Sequence, residues 1–243
     1  MWVPDFAAFD RRHYRTVGVP EGYAAWAPTY EATVEDSMDL ALLNRLETVE
    51  WSKVARVADL GCGSGRTARW LRTRGDFPID GVDLTPAMLE LARANGRHDR
   101  LVVADVRATG LESGVYDLVT CVLVDEHLPE LEPLYLEARR LLRPGLGGSF
   151  VMAGVHPYFL MAVGMPTHFD DPEGEPVAIE THLHLPSEHV AAARTAGLVP
   201  REMHEALVDD ALVRLKPGWR AHRGLPFSYA WVIGTDGPAT DRP

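Results

Sequence analysis

Cysteine is scarce in this chain: 243 residues contain only Cys62 and Cys121, which give neither a disulfide framework nor the spacing of a zinc site. A reducing, cytoplasmic setting is therefore expected. No run of about 20 apolar residues occurs, and the stretch Met1 to Arg15 lacks a basic region followed by an apolar core, so a membrane span or a secretory leader is not expected. Long basic runs are also missing. Arginine and lysine total 24 against 35 aspartates and glutamates, a net charge of −11, and the densest basic stretches, Arg66 to Arg74 and Arg139 to Arg143, are short. Both fall where helices are expected and read as solvated faces. A nucleic-acid partner, which needs a basic stripe to displace counterions, is disfavoured. There is no internal repeat that would signal a solenoid or propeller.

What is present is an ordinary globular composition, 46% hydrophobic and 24% charged, and a length suited to one domain over 1–243 carrying small additions. Residues 1–34 are aromatic-rich and interrupted by Pro4, Gly18, Pro20, Gly22 and Pro28, which predicts short helical pieces, a candidate lid. From Asp36 to Glu50 the positions Met38, Leu42, Leu46 and Val49 recur at helical spacing and predict an amphipathic helix. From residue 54 short apolar runs alternate with helical segments, as in βαβ units of a mostly parallel sheet. The expected strands are Arg56–Leu60, Ile79–Asp83, Leu101–Ala104, Tyr116–Val124 and Ser149–Val155, with helices starting near Gly65, Pro86 and Pro133. Thr85 is placed to cap the second helix, Pro86 to open it and Gly96 to end it. Residues 156–186 read as a cap: a non-periodic stretch to 176, then an alternating strand from Pro176 to Leu185. A helix from Ser187 to Ala196, strands Val199–Val208 and Ser228–Gly234, an insert with Trp219 between them and a polar tail complete the reading.

The sharpest local signal is Val57-Ala58-Asp59-Leu60-Gly61-Cys62-Gly63-Ser64-Gly65, a strand entering a glycine-rich turn that opens a helix. Missing Cβ atoms and free helix N–H groups let an acceptor-rich ligand approach the backbone. The spacing is G-x-G-x-G, not the dinucleotide G-x-G-x-x-G, and no Lys-Ser or Lys-Thr follows to make a triphosphate loop. Asp83 closes the second strand, where a carboxylate can accept both hydroxyls of a ribose. Asp105 closes the third, where it can accept from an adenine amine while Leu84 and Val106 sandwich the ring. Three acidic residues ending successive parallel strands beside a glycine turn point to a nucleoside site.

With VADLGCGSG at 57–65, GVDLTPAMLELAR at 81–93, VVADV at 102–106, YDLVTCVLV at 116–124 and LLRPG at 141–145, the chain resembles the class I S-adenosylmethionine-dependent methyltransferases of the small-molecule kind. The resemblance covers roughly 20–155 well and 187–234 more loosely. It implies an α/β, Rossmann-like seven-stranded mixed sheet of order 3-2-1-4-5-7-6, the last strand antiparallel, with helices on both faces. It also implies S-adenosylmethionine as cofactor and S-adenosylhomocysteine as product. Carried over, Asp59, Gly61 and Gly63 would hold the methionine part, Asp83 and Leu84 the ribose and adenine, Asp105 and Val106 the adenine, and the chain around Cys121 would pass beneath the methionine; Cys121 itself reads more readily as a packed small residue. Tyr23 and Tyr30 resemble an aromatic lid closing over the cofactor, or else merely pack the N-terminal pieces. One departure is the turn Pro144-Gly145-Leu146-Gly147-Gly148, two residues longer than the usual Pro-Gly-Gly.

Methyl transfer is an in-line displacement that positioning alone accelerates. A hydroxyl acceptor also needs a base, and histidine is the usual one. His127 and His156 are the candidates, with His127 preferred; His168, in the insert, has an open role. Glu180, His182 and His184 alternate on the expected strand and fit a solvated face, a substrate pocket or, with His189, a weak metal signal; no metal is assigned. The expected reaction is methylation of a hydroxyl on an apolar or aromatic small molecule by a monomer or homodimer. C- or N-methylation of a quinone-like carbon or an amine, or cofactor binding without transfer, are the alternatives.

Overall fold

The computed structural model describes residues 5–34, 39–145 and 147–235. In chain order these hold β1 (Arg15–Val17), α1 (Val19–Trp26), α2 (Tyr30–Thr33), α3 (Leu40–Leu43), β2 (Val57–Leu60), α4 (Arg66–Leu71), β3 (Ile79–Asp83), α5 (Pro86–Asn95), β4 (Arg100–Val103), β5 (Leu118–Val122), α6 (Glu132–Leu141), β6 (Ser149–Val155), α7 (Pro157–Val163), β7 (His168–Asp170), β8 (Pro176–Ile179), α8 (Pro186–Thr195), β9 (Leu198–Leu207), α9 (Asp210–Leu215) and β10 (Pro226–Thr235). No helix among them is long and apolar enough to cross a membrane.

Seven strands form one sheet in the order β4-β3-β2-β5-β6-β10-β9. Counted within this sheet the order is 3-2-1-4-5-7-6, as the resemblance implied, and β10 runs antiparallel to both β6 and β9. The core follows from period-two alternation. Ala58, Leu60, Val119, Cys121, Phe150, Met152, Tyr229, Trp231 and Ile233 face one side, where they meet Leu134, Tyr135 and Ala138 of α6 and Ala192 and Ala193 of α8. Val57, Ile79, Leu118, Val122, Val151, Ala153, Ala230 and Val232 face the other, against α3 and α4. Each such large apolar side chain contributes about 1.5–3 kcal/mol on burial, so the sheet fixes the frame on which the loops stand.

Local chemistry sets the ends of α4 and α5. Gly65, at φ +92°, turns the chain into α4. Pro86 occupies the first turn of α5 and Gly96, at φ +61°, ends it. Thr85 takes the N-cap position, but its hydroxyl makes no cap bond, contrary to expectation.

The structure differs from the sequence reading in the additions to the sheet. Instead of one amphipathic helix from Asp36 to Glu50 there is only the four-residue α3, followed by irregular chain whose Leu46 and Val49 still pack on the sheet; Met38 lies outside the described residues, as do Leu146 of the long turn and the tail beyond Thr235. The stretch 156–176 is not structureless, because Pro157 opens α7 and β7 follows. The strand expected from Pro176 to Leu185 stops at Ile179. A second, three-stranded sheet was not foreseen: β1 pairs parallel with β8, and β8 antiparallel with β7. It packs with α1, α2 and α5 through Trp26, Tyr30, Met88, Phe169, Val177 and Ile179, joining the N-terminal pieces to the cap. Trp26 stacks on Phe169 at 5.8 Å between ring centroids, and its indole N–H donates to Thr33 Oγ1 at 2.9 Å.

Trp26→Ala should cost this joint about 3–5 kcal/mol and leave the main sheet intact. Hydrogen exchange should accelerate by about 100-fold or more in 15–34 and 168–179 while β2, β5 and β6 keep their protection. Uniform acceleration across both sheets would contradict an independent joint.

Candidate functional site

The C-terminal ends of β2, β3, β4 and β5 open into a cavity of about 360 Å³ beneath the small sheet. Its floor is the glycine turn. Gly61 and Gly63 have φ of +66° and +53°, and a Cβ on Gly61 would collide with Val124. The Gly63 N–H donates to Asp83 Oδ2 at 2.8 Å and the Thr85 N–H to Asp83 Oδ1 at 2.8 Å. The carboxylate thus braces the turn against its own strand end and keeps lone pairs for a diol. Burial raises its pKa above the ordinary value, and the two backbone donors oppose that. Leu84, 41% exposed, stands with Met88 and Val106 along the same wall and leaves an apolar surface that a flat ring would cover.

Asp105 also lines the cavity, gripped by Arg107: the guanidinium Nε donates to Oδ1 at 2.9 Å and Nη2 to Oδ2 at 2.6 Å, and the Arg107 backbone N–H adds 2.8 Å to Oδ1. This fork, above all, lowers the Asp105 pKa. Sequence reasoning missed Arg107, although its place two residues after the strand-closing aspartate was a usable signal.

Tyr23, Tyr30 and His127 also line the cavity. His127 Nδ1 lies 2.8 Å from the Glu180 carbonyl oxygen and Nε2 lies 2.9 Å from the Tyr23 hydroxyl. A carbonyl only accepts, so Nδ1 carries the proton and Nε2 accepts from Tyr23. Burial lowers the His127 pKa to about 4, against a smaller upward pull from Glu180; the ring is neutral, with its Nε2 lone pair engaged by the Tyr23 hydroxyl. Burial raises both tyrosines, Tyr30 to about 12.

Three candidate residues are brought elsewhere. Asp59 is buried behind the turn, where its carboxylate accepts from Thr120 Oγ1 at 2.8 Å and lies 3.2 Å from His98 Nε2, and it is not among the residues lining the cavity. Cys121 faces the core. His156 caps α7, its Nδ1 accepting from the Tyr158 N–H at 3.1 Å while Nε2 meets Glu205 at 2.9 Å. His168 lies on β7, with Nδ1 2.9 Å from the Pro166 carbonyl. Glu180, His182 and His184 do not share a face. Glu180 and His182 reach the cavity rim, whereas His184 turns inward to the Leu128 carbonyl at 2.7 Å. Among the described residues no group of three or more His, Cys, Asp or Glu side chains is placed to hold a metal.

Two features gave no sequence signal. Leu123, on the cavity wall, has φ +58°, a strained turn for a leucine that carries the chain out of β5 toward His127. Behind that turn runs a buried chain: Tyr135 hydroxyl to His189 Nδ1 at 2.9 Å, His189 Nε2 to Tyr229 hydroxyl at 2.9 Å, and Tyr229 hydroxyl to Asp125. Burial raises the Asp125 pKa to about 7 and lowers that of His189 to about 3.

Comparison with known proteins agrees with this geometry. Residues 58–152 match the family model described as a methyltransferase domain, Methyltransf_11. A crystal structure of an S-adenosylmethionine-dependent methyltransferase from Mesorhizobium loti superposes with a TM-score of 0.62, at 24% identity, over 80% of this chain and 96% of that one. Residues 58–152 are thus similar to a methyltransferase domain, and the main sheet has the fold of S-adenosylmethionine-dependent methyltransferases. Among curated relatives, the ubiquinone biosynthesis O-methyltransferase of Bordetella avium is 31% identical over 165 residues, 61% of this chain and 64% of the relative. The malonyl-[acyl-carrier protein] O-methyltransferase of Enterobacter lignolyticus is 37% identical over 105 residues, 43% of this chain and 40% of the relative. The chain therefore spans less than two thirds of the length of these relatives.

The neutral His127 has a consequence for stability. Its folded pKa of about 4 lies below the ordinary 6.5, so its contribution is complete above pH 6.5 and is lost as pH falls toward 4, where the unfolded chain binds a proton that the folded one does not. One such proton is worth about 1.4 kcal/mol per pH unit. Urea titrations from pH 7 to 4 should give a shallower loss for His127→Asn than for the wild type by about that slope; equal slopes would contradict a buried neutral imidazole.

Proposed function

We propose that the protein transfers the methyl group of S-adenosylmethionine to a hydroxyl oxygen of an apolar or aromatic small molecule. The observation that carries this reading is His127 Nε2, unprotonated and turned to the cavity wall through the Tyr23 hydroxyl. Both curated relatives named above are O-methyltransferases, which supports oxygen as the receiving atom.

When bound, S-adenosylmethionine supplies an electrophilic methyl group on a sulfonium. The residues present suit it. Asp83 would receive the ribose hydroxyls, Leu84 and Val106 would cover the adenine faces, Asp105 would accept from the adenine amine, and Gly61 and Gly63 would leave room for the methionine part. Tyr23 and Tyr30 form the roof. Asp59 and Cys121 act from behind the turn as packing and bracing groups.

The acceptor hydroxyl sits against Tyr23 and His127. As the acceptor oxygen takes up the methyl group that the bound cofactor would supply, its proton would pass to the Tyr23 oxygen and the Tyr23 proton to His127 Nε2. Nδ1–H, anchored on the Glu180 carbonyl, keeps the ring in the accepting tautomer. The start of α1 and the chain just after β8 flank the cavity through Val19, Tyr23, Glu180 and His182, and burial around His127 strengthens these interactions. His156, held in its cap, takes no part. The two free, buried cysteines fit action in the cytoplasm.

Melting the purified protein with S-adenosylmethionine and with S-adenosylhomocysteine should raise Tm in both cases, since a ligand at about 100 times its Kd adds roughly 2.7 kcal/mol. His127→Ala should keep that shift and lose about 10²–10⁴-fold in methyl transfer to a hydroxylated aromatic. A full rate in His127→Ala would move the reading to an amine or carbon acceptor. A folded sample with no shift would overturn the cofactor assignment.

A further inference from the structure

Charge balance along the cavity goes further than the reaction type, and it rests on the function proposed above. The charged lining groups among the described residues are Asp83, Asp105, Glu180 and Arg107. Three of the four are spoken for. Asp83 is tied to the glycine turn, while Asp105 and Arg107 hold each other in a two-pronged fork. Glu180 is different. Its backbone N–H donates to the Val17 carbonyl at 3.0 Å and its own carbonyl accepts from His127, but its carboxylate, with 57% of the side chain exposed, has only the His182 ring at 3.4 Å beside it. The main chain of Glu180 is therefore fixed between the small sheet and His127, and its side chain is left at the rim with an uncompensated negative charge. Among the described residues no lysine or arginine lines the cavity apart from Arg107, locked on Asp105.

We propose that the Glu180 carboxylate, with His182 beside it, is the specificity-determining group at the cavity rim and selects acceptors that bear a positive charge or a hydrogen-bond donor remote from the reacting hydroxyl, against anionic ones. A carboxylate or phosphate on the acceptor meets like charge with no partner, while an ammonium or hydroxyl meets an acceptor held in place by two backbone bonds. The rim is wet, so the discrimination is moderate and screened by salt. His182 is positioned for this by its own backbone, whose N–H donates to the Glu126 carbonyl at 2.6 Å.

The test uses three probes with one nucleophile: catechol, dopamine and 3,4-dihydroxybenzoate, which are neutral, cationic and anionic at pH 7. Each is assayed for methyl transfer from S-adenosylmethionine and, in parallel, for stabilisation of the S-adenosylhomocysteine complex against heat. The expected order of kcat/KM is dopamine above catechol above dihydroxybenzoate, with about tenfold or more between the extremes. Glu180→Gln should shrink that ratio several-fold at unchanged S-adenosylhomocysteine affinity, Glu180→Asp should keep its direction, and added salt should compress it in the wild type. Because the His127 bond uses the main chain of Glu180, these variants leave that anchor in place. An anionic probe accepted or bound as well as the cationic one, a ratio indifferent to Glu180→Gln, or no response of the S-adenosylhomocysteine complex to any probe would overturn the inference while leaving the cofactor reading intact. A protein that S-adenosylhomocysteine fails to stabilise overturns both.

Discussion

Two hydrogen bonds on one imidazole tie the site together. His127 donates from Nδ1 to the Glu180 carbonyl and accepts at Nε2 from Tyr23, and these three residues come from the turn after β5, the end of β8 and the middle of α1. The two bonds add to the Thr167 hydroxyl on Glu126 and the His182 N–H on the Glu126 carbonyl, directional bonds that the non-directional apolar contacts between the two sheets cannot replace. With them, the roof of the cavity, its rim and its proton acceptor share one geometry. The same bonds select the tautomer, because a carbonyl cannot donate, and burial keeps the ring neutral so that the arrangement persists at neutral pH.

The main sheet does the complementary task. Parallel strands bring Leu60, Asp83, Val103 and Val122 to a common edge, and the chain must leave each strand there. At β2 it leaves through glycines with positive φ, at β3 through an aspartate that accepts two backbone N–H groups, and at β5 through a leucine held at φ +58°. Ligand sites in open α/β sheets form in the crevice at such edges. Behind the β5 exit, the chain from Tyr135 to Asp125 secures the turn that carries His127, linking α6, α8 and β10 to it.

The sheet and the cavity floor were legible because their signals are local. The glycine turn, the acids closing β3 and β4 and the apolar alternation each occupy a few consecutive residues, and the resemblance they support supplied the strand order. The lid and cap were legible only in outline. A three-residue strand such as β1 has too little alternation to detect, and its partner β8 lies more than 150 residues away in the chain. The regular spacing of Leu42, Leu46 and Val49 reflected one helical turn followed by irregular chain packing on a sheet, which mimics helical periodicity without its continuous hydrogen bonds. The alternation of Glu180, His182 and His184 misled for a related reason: after Ile179 the main chain bonds successively to Val17 and Glu126, so the three side chains diverge. The partners of Asp59 lay outside motif reading, since Thr120 and His98, which its carboxylate meets, are brought to it from elsewhere in the chain.

The account stands most directly on where the sulfur of the cofactor product lies. A crystal structure of the protein with S-adenosylhomocysteine should place the ribose hydroxyls on Asp83, the adenine between Leu84 and Val106, and the sulfur facing the Tyr23–His127 pair with room for one acceptor oxygen between them. A nucleoside bound elsewhere, or a sulfur pointing away from that pair, would contradict it.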